Sequence, residues 1–418
     1  MKRILMIAFH YPPLRGSSGI QRTLKFSRYL PEYGWQPLIL TANSKAYAQV
    51  GDELLGEIPA YVPVKRAFAL DTARHLAFRG AYLSWMALPD RWISWWLGGV
   101  LAGLRLVRTY HPAILWSTYP IATAHLIGLT LHRLTGIPWI ADFRDSMTED
   151  HYPLEPATWR VYRWIERLTV RHCMQAVFTT PGTLRMYAER YPDIPQNRWA
   201  IIANGYDEEN FLNAEQAVVR RDASHGRLVL VHSGLLYPSE RDPRTFFAAV
   251  ADLRQAGAIS PAMVQIILRA SGYEDYYRQY LRECGIDDIV RLEAFIPYQQ
   301  ALTEMLHADG LLVFQAANCN HQIPAKIYEY LRARRPIFAL TDPQGDTANV
   351  LQEAGIDTIA ALDSQPAIAQ GLSHFLAQVR AGRAPIASDY IIARHSRKSR
   401  TRELAELLMY MLNLAGIA

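Results

Sequence analysis

The sequence predicts two doubly wound α/β domains facing each other, each a mostly parallel sheet with helices on both faces. Three observations carry this expectation. Strand-like apolar runs alternate with helix-like segments almost throughout, the pattern of parallel strands joined by helical crossovers. The alternation restarts after the polar run NAEQAVVRRDASHG, residues 213–226, which is the best linker candidate. At 418 residues the chain also exceeds what one ordinary core organises. The expected division is an N-terminal domain over 1–212, a linker over 213–226 and a C-terminal domain over 227–396. A final helix occupies 397–418.

In the first half, RILMIAF reads as a buried strand, followed by a loop and the helix-like IQRTLKFSRYLPEYG. The opening MKRILMIAFHYPP has an apolar run too short for a leader peptide and ends in His-Tyr-Pro-Pro, so it reads as strand. WQPLILT is the second strand; AILWS, the helix IATAHLIGLTLHRLTG and IPWIADF follow. MQAVFTT and RWAIIAN close the half. In the second half RLVLVHSG is a strand, and Asp242-Pro243 is a good N-cap and first-turn pair for the helix PRTFFAAVADLRQAG. MVQIILRA, IVRLEAF, GLLVFQ and RPIFALTD are further strands, with a helix from Asp346 to Ala354. The tail RKSRTRELAELLMYMLNLAG has strong helical periodicity.

In such folds ligands bind beyond the carboxyl ends of the strands, here the cleft between the domains. The loops at those ends carry the chemistry. HYPPLRGSSGIQR places Gly16, Ser17, Ser18 and Gly19 just before a helix, where backbone approaches a ligand closely and helix N–H groups attract an anion. A plain flexible turn fits the same residues. ADFRDSMTED clusters Asp142, Arg144 and Asp145 at a strand end, either for function or as a structural Arg–Asp pair. IIANGYDEENF brings Asn204-Gly205 to a strand end, where a tight turn is the simplest account. HSGLLYPSERDP sets Gly234 and Arg241 near a helix start, as a phosphate clamp or as a solvated charge.

The stretch NHQIPAKIYEYLRARRPIFAL puts Pro324 in the first turn of a helix. Lys326 and Glu329, three apart, share one face. An exposed pair of this kind contributes only ~0.3–0.5 kcal/mol, but at a helix start it could also serve an anion.

The net charge is +5, unevenly placed. Between Tyr61 and Pro112, Lys65, Arg66, Arg74, Arg79, Arg91, Arg105 and Arg108 stand against Asp71 and Asp90. Trp85, Trp92, Trp95 and Trp96 lie in the same segment. Residues 81–108 thus read either as a contact with an anionic membrane or as a core helix with a basic outer face. No run reaches the ~18 apolar residues of a membrane span. Cys173, Cys284 and Cys319 show no metal or redox spacing, which suits a reducing cytosol. No D-x-D, H-E-x-x-H or G-x-S-x-G occurs, so the usual marks of a metal-chelated nucleotide site, a zinc protease and a serine hydrolase are missing. Nucleic-acid motifs are missing too.

Taken together, GSSGIQR, LPEYGWQPLILT, WIADFRDSM, IIANGYDEENF, HSGLLYPSERDP and IPAKIYEYLRARRPIFAL resemble the retaining glycosyltransferases of the GT-B fold, family 4, closest to bacterial members that build surface polysaccharides. The resemblance implies transfer from a nucleotide diphosphate sugar, a UDP-sugar, to a hydroxyl acceptor with retention and without metal or other cofactor. It implies that Gly16, Ser17, Ser18 and Gly19 lie beside the donor diphosphate, and that Gly234, Arg241 and Lys326 bind it. Glu329 matches the ribose-binding end of the family's E-x7-E motif, whose first glutamate is His321 here. Arg144-Asp145 stands where the family has His-Asp; Arg144 would stabilise charge, and Asp145 or Asp142 would orient the acceptor or act as base. The final helix would pack towards the N-terminal domain. The acceptor implied is a lipid-linked saccharide at the inner face of the cell membrane. A nucleotide-sugar 2-epimerase of the same architecture and a non-catalytic nucleotide-binding partner subunit are the alternatives.

Overall fold

The computed structural model describes residues 1–16, 19–216 and 226–416. The chain divides into two compact units. The first is Met1–Asn204 together with Arg397–Ala418, and the second is Gly205–Ser396.

Among the described residues the first unit holds a seven-stranded parallel sheet. Its strands are β1 (Lys2–Ile7), β2 (Trp35–Ala42), β3 (Val64–Ala67), β4 (Ile114–Thr118), β5 (Trp139–Phe143), β6 (Gln175–Phe178) and β7 (Trp199–Ile201), in the order β3-β2-β1-β4-β5-β6-β7. Strand residues point alternately to the two faces, and here both faces are covered. Leu5 and Ile7 join the core under helices Ser94–Tyr110 and Ala122–Thr135. Ile4 and Met6 join the core under helices Gly19–Tyr29 and Arg397–Leu414. That is why β1 reads as an unbroken apolar run rather than an alternating one. The final helix belongs to this unit through Leu404, Leu408, Met411 and Leu412, all buried against Ile4, Met6 and Leu24.

The second unit holds a six-stranded parallel sheet among the described residues. Its strands are β8 (Leu228–Ser233), β9 (Val264–Arg269), β10 (Val290–Glu293), β11 (Gly310–Phe314), β12 (Ile337–Leu340) and β13 (Ile359–Ala360), in the order β10-β9-β8-β11-β12-β13. In each sheet the strand order reverses beside the first strand, between β1 and β4 and between β8 and β11. Such switch points open a crevice at the carboxyl ends of the strands, where α/β proteins bind ligands.

Four expectations shift. The first domain ends at Asn204 rather than 212. Helix Glu208–Gln216 packs on helix Tyr298–His307, and Arg332 clamps it through Glu208 and Glu215, each at 2.8 Å. Of the expected linker, residues 213–216 finish that helix and 217–225 lie outside the described residues. The helix expected over IQRTLKFSRYLPEYG is helix Gly19–Tyr29 followed by a 3-10 turn, Leu30–Tyr33, because Pro31 has no N–H to continue the ladder. Helix Arg244–Gln255 begins one residue later than read, with Pro243 at the cap and Asp242 Oδ1 accepting the Arg244 N–H at 3.0 Å.

Candidate functional site

Chemistry-bearing residues gather at the switch point of each sheet, and each group is built within its own unit. In the first unit the β1 loop brings His10 and Gly16 to the start of helix Gly19–Tyr29. Gly16 adopts a left-handed backbone, φ +79°. Gly19 lies against side chains from elsewhere: a Cβ there would overlap Arg144 Nη1 and stand 2.7 Å from His10 Nδ1. Only glycine lets this helix start so close to the guanidinium. Ser17 and Ser18 lie outside the described residues.

Arg144 and Asp145 follow β5 in a loop held from behind. Buried Glu166 accepts from Thr148 Oγ1 at 3.0 Å, Tyr187 at 2.9 Å, Tyr191 at 2.7 Å, Arg163 at 2.7 Å and Arg190 at 3.0 Å. The Met147 N–H donates to Tyr187 Oη at 3.0 Å, which fixes the loop's path. Burial lowers the Arg144 pKa from its ordinary value; Asp145 and Asp142 oppose this and Arg22 adds to it. The His10 pKa is pushed down to about 3, first by burial and then by Arg144. His10 is therefore a neutral imidazole beside a cation near pH 7.

Asp142, expected to orient the acceptor, to act as base or to form a structural pair with an arginine, forms such a pair with Arg22. It is fully buried, and both carboxylate oxygens are taken by Arg22, from Nη2 at 2.7 Å and Nε at 3.0 Å, with Thr118 Oγ1 donating at 2.8 Å. Arg22 Nη1 also donates to the Ala203 carbonyl at 3.1 Å. A carboxylate so saturated anchors helix Gly19–Tyr29 to β5. Asp145, next to Arg144, is exposed.

In the second unit the sequence places His232 and Gly234 at the end of β8, with Arg241 in the loop beyond. Helix Lys326–Ala333 starts two residues after Pro324, which lies outside the helix rather than in its first turn, though the Ile327 N–H still bonds the Pro324 carbonyl at 3.0 Å. Lys326 Nζ lies 3.2 Å from His232 Nε2, and Tyr330 Oη accepts the Ser233 N–H at 3.0 Å. Gly234 has φ +119°, and a Cβ there would come 2.8 Å from Lys326 Nζ. Arg241 Nε donates to Gln315 Oε1 at 3.4 Å and its guanidinium lies over Tyr237. Glu329 Oε1 accepts from Tyr298 Oη at 2.6 Å. His321 is half-buried in the loop before the helix, its Nε2 3.5 Å from the Gln322 amide nitrogen. Burial lowers the Lys326 pKa to about 7; Arg241 adds to this and Glu329 opposes it.

Gly19 thus meets Arg144 in one unit, and Gly234, Arg241, Lys326 and Glu329 cluster in the other. Sequence reasoning missed His10, His232 and Tyr298. The two histidines had a readable signal: each is the polar residue that closes an apolar run, in AFHYPP and LVHSG. Tyr298 had none, because it meets Glu329 only through tertiary packing. Among the described residues no group of three or more His, Cys, Asp or Glu is arranged to hold a metal.

The tryptophan-rich segment splits in two. Trp95 is fully buried beside Phe9, and Trp92 donates to the Ala46 carbonyl at 3.0 Å. Trp85 is 68% exposed, and on helix Ser94–Tyr110 Leu97 and Leu101 are 62% and 60% exposed. Arg105 and Arg108 continue that exposed ridge. Among the described residues no helix is long and apolar enough to cross a membrane.

Residues 18–205 match the model of the glycosyl transferase 4-like domain. No curated protein sequence matches the chain. Solved structures resemble it over nearly its whole length. Sucrose-phosphate synthase from Thermosynechococcus elongatus is 13% identical, with 99% of each chain covered and a TM-score of 0.66. The UDP-forming α,α-trehalose-phosphate synthase from Burkholderia xenovorans, in complex with glucose-6-phosphate, is 14% identical, covers 98% of this chain and 100% of its own, and also scores 0.66. UDP-GlcNAc 2-epimerase from Neisseria meningitidis, bound to UDP-GlcNAc, is 11% identical, covers 98% and 100%, and scores 0.53. The two parallel sheets have the GT-B architecture of these neighbours, and the stretch 18–205 is similar to a glycosyl transferase 4-like domain.

Proposed function

We propose that the chain is a glycosyltransferase that moves a sugar from a UDP-sugar to a hydroxyl acceptor with retention. The carrying observation is the cluster of Gly234, Arg241, Lys326 and Glu329 at the β8–β11 switch point. Lys326 and Arg241 neutralise the diphosphate as it gains charge in the transition state, the task for which preorganised cations are most effective. No metal or other cofactor enters this scheme. Glu329, held by Tyr298, accepts the ribose hydroxyls, and His321 faces the donor sugar. In the other unit Arg144 stabilises developing charge beside the Gly16–Gly19 loop, Asp145 orients the acceptor, and Asp142 positions the helix. Support for uridine comes from the trehalose-phosphate synthase, described as UDP-forming, and the epimerase bound to UDP-GlcNAc.

The exposed ridge of Leu97 and Leu101, continued by Arg105 and Arg108, together with the exposed Trp85, supports a lipid-linked saccharide acceptor held at an anionic membrane surface in polysaccharide synthesis. That surface would be the inner face of the cell membrane. The test is to incubate UDP-sugars with and without lipid-linked acceptors and to follow both UDP and sugar. Acceptor-dependent UDP release with a new α-linked product supports the proposal. Isomerised sugar or UDP release without acceptor would instead establish the epimerase reading, which the epimerase neighbours favour.

A further inference from the structure

We infer that nucleotide binding at the second-unit site is coupled to uptake of one proton by Lys326, so that the arriving diphosphate charges the lysine that holds it. This rests on the donor assignment above. Lys326 is half-buried at the start of its helix, under the Gly234 backbone, with its amine 3.2 Å from His232 Nε2. His232 is fully buried, and its Nδ1 lies 2.9 Å from the Leu312 carbonyl. A carbonyl only accepts, so Nδ1 carries the hydrogen and Nε2 presents its lone pair to the lysine. That contact is satisfied by either a neutral amine or an ammonium.

The charged and titratable groups facing the amine are His232 from β8, Arg241 from the loop beyond it and Glu329 from the lysine's own helix. The Tyr330 hydroxyl is turned to the Ser233 N–H. Burial and Arg241 lower the His232 and Lys326 pKa values alike, so one carboxylate faces a crowded, partly desolvated cation pair. Lys326, brought to about 7, is half neutral at neutral pH and largely neutral at pH 8. A bound diphosphate reverses that balance. The Nζ lone pair then takes a proton from the buffer; nothing is oxidised or reduced. The sign follows: the site binds tighter when the amine is already protonated, so affinity falls as pH rises above 7. The fall approaches ~10-fold per pH unit until the raised, bound-state pKa is passed.

The experiment is a calorimetric titration with UDP at pH 8 in two buffers of different ionisation heat. The terminal phosphate of UDP, with a second pKa near ~6, is already ionised there. We expect roughly 0.9 proton taken up per UDP bound. Lys326→Arg, whose guanidinium stays charged, should bind UDP with no uptake and a flat pH profile. Lys326→Met should bind more weakly, also without uptake. UDP binding by the unaltered protein with no uptake, or the same uptake in both variants, overturns the coupling. Absence of UDP binding at any pH overturns the donor assignment and the coupling with it.

Discussion

Arg144 shows how much one side chain can be asked to do. Its guanidinium is held against Gly19 and a neutral His10, while the other arginine of the cluster, Arg22, is spent on Asp142. Arg144→Met should therefore lower turnover by ~100-fold or more, as removal of a preorganised charge-stabilising donor does. UDP affinity, assigned by the proposed function to the other unit, should stay within about threefold. Steady-state rates alongside a UDP titration check this, and equal losses in both would move Arg144 out of the charge-stabilising role. Residue types at strand ends were legible in the sequence and singled out Arg144 and Arg241 as candidates, whereas Lys326 and Glu329 were singled out by their shared face at a helix start. For Asp142 the sequence left a functional role and a structural pair both open, because its partner, Arg22, is 120 residues away in sequence. Nothing local distinguishes a carboxylate that meets solvent from one saturated by a distant arginine.

Two helices carry consequences at the scale of elements. The final helix buries Leu408 completely in the first unit's core. Leu408→Ala should cost ~2–5 kcal/mol. All ten tryptophans lie between residues 35 and 199, so their fluorescence follows the first unit alone. The urea midpoint read by tryptophan should fall, and an unchanged midpoint would detach the helix from that core. Helix Ser94–Tyr110 carries the exposed Leu97 and Leu101. Replacing them and Trp85 with serine should lower flotation with anionic liposomes several-fold while leaving UDP binding intact; unchanged flotation removes the membrane surface from the account. Trp95, inseparable from Trp96 by sequence alone, is core and would unfold the unit instead. Periodicity located most strands and the last helix, but helices such as Pro156–His172 and Gln365–Arg380 were not named. β3 and the two-residue β13 went unread because short edge strands bury little and give weak patterns.

The whole molecule carries an acid sensitivity written into buried histidines. His125 is fully buried, bonded to Ser117 Oγ at 2.8 Å, and burial pushes its pKa down to about 3. Its unfolded value is near 6.5, so below that pH the unfolded chain binds a proton the folded one refuses. Stability is therefore lost as pH falls from 6.5 towards 3, by about 2 kcal/mol between pH 7 and pH 5 for this group. Urea unfolding followed by tryptophan should show a smaller pH 7 to pH 5 drop in His125→Phe than in the unaltered chain. Equal drops would place the sensitivity elsewhere.

At this scale the two-sheet fold was readable from alternation and length, whereas the first boundary was not. The polar run at 213–226 looked like the junction, but the chain changes unit at Asn204-Gly205, because Arg332 and helix Tyr298–His307 hold the segment after it.

In the proposed function the second unit binds a uridine diphosphate through Lys326, Arg241 and Glu329. The most direct measurement is a calorimetric titration of the unaltered chain and Glu329→Ala with UDP, GDP and ADP. Selective UDP binding is expected, weakened by ~10-fold or more in Glu329→Ala through the loss of a charge-assisted hydrogen bond. Binding that ignores Glu329→Ala, or no nucleotide binding at all, would contradict it.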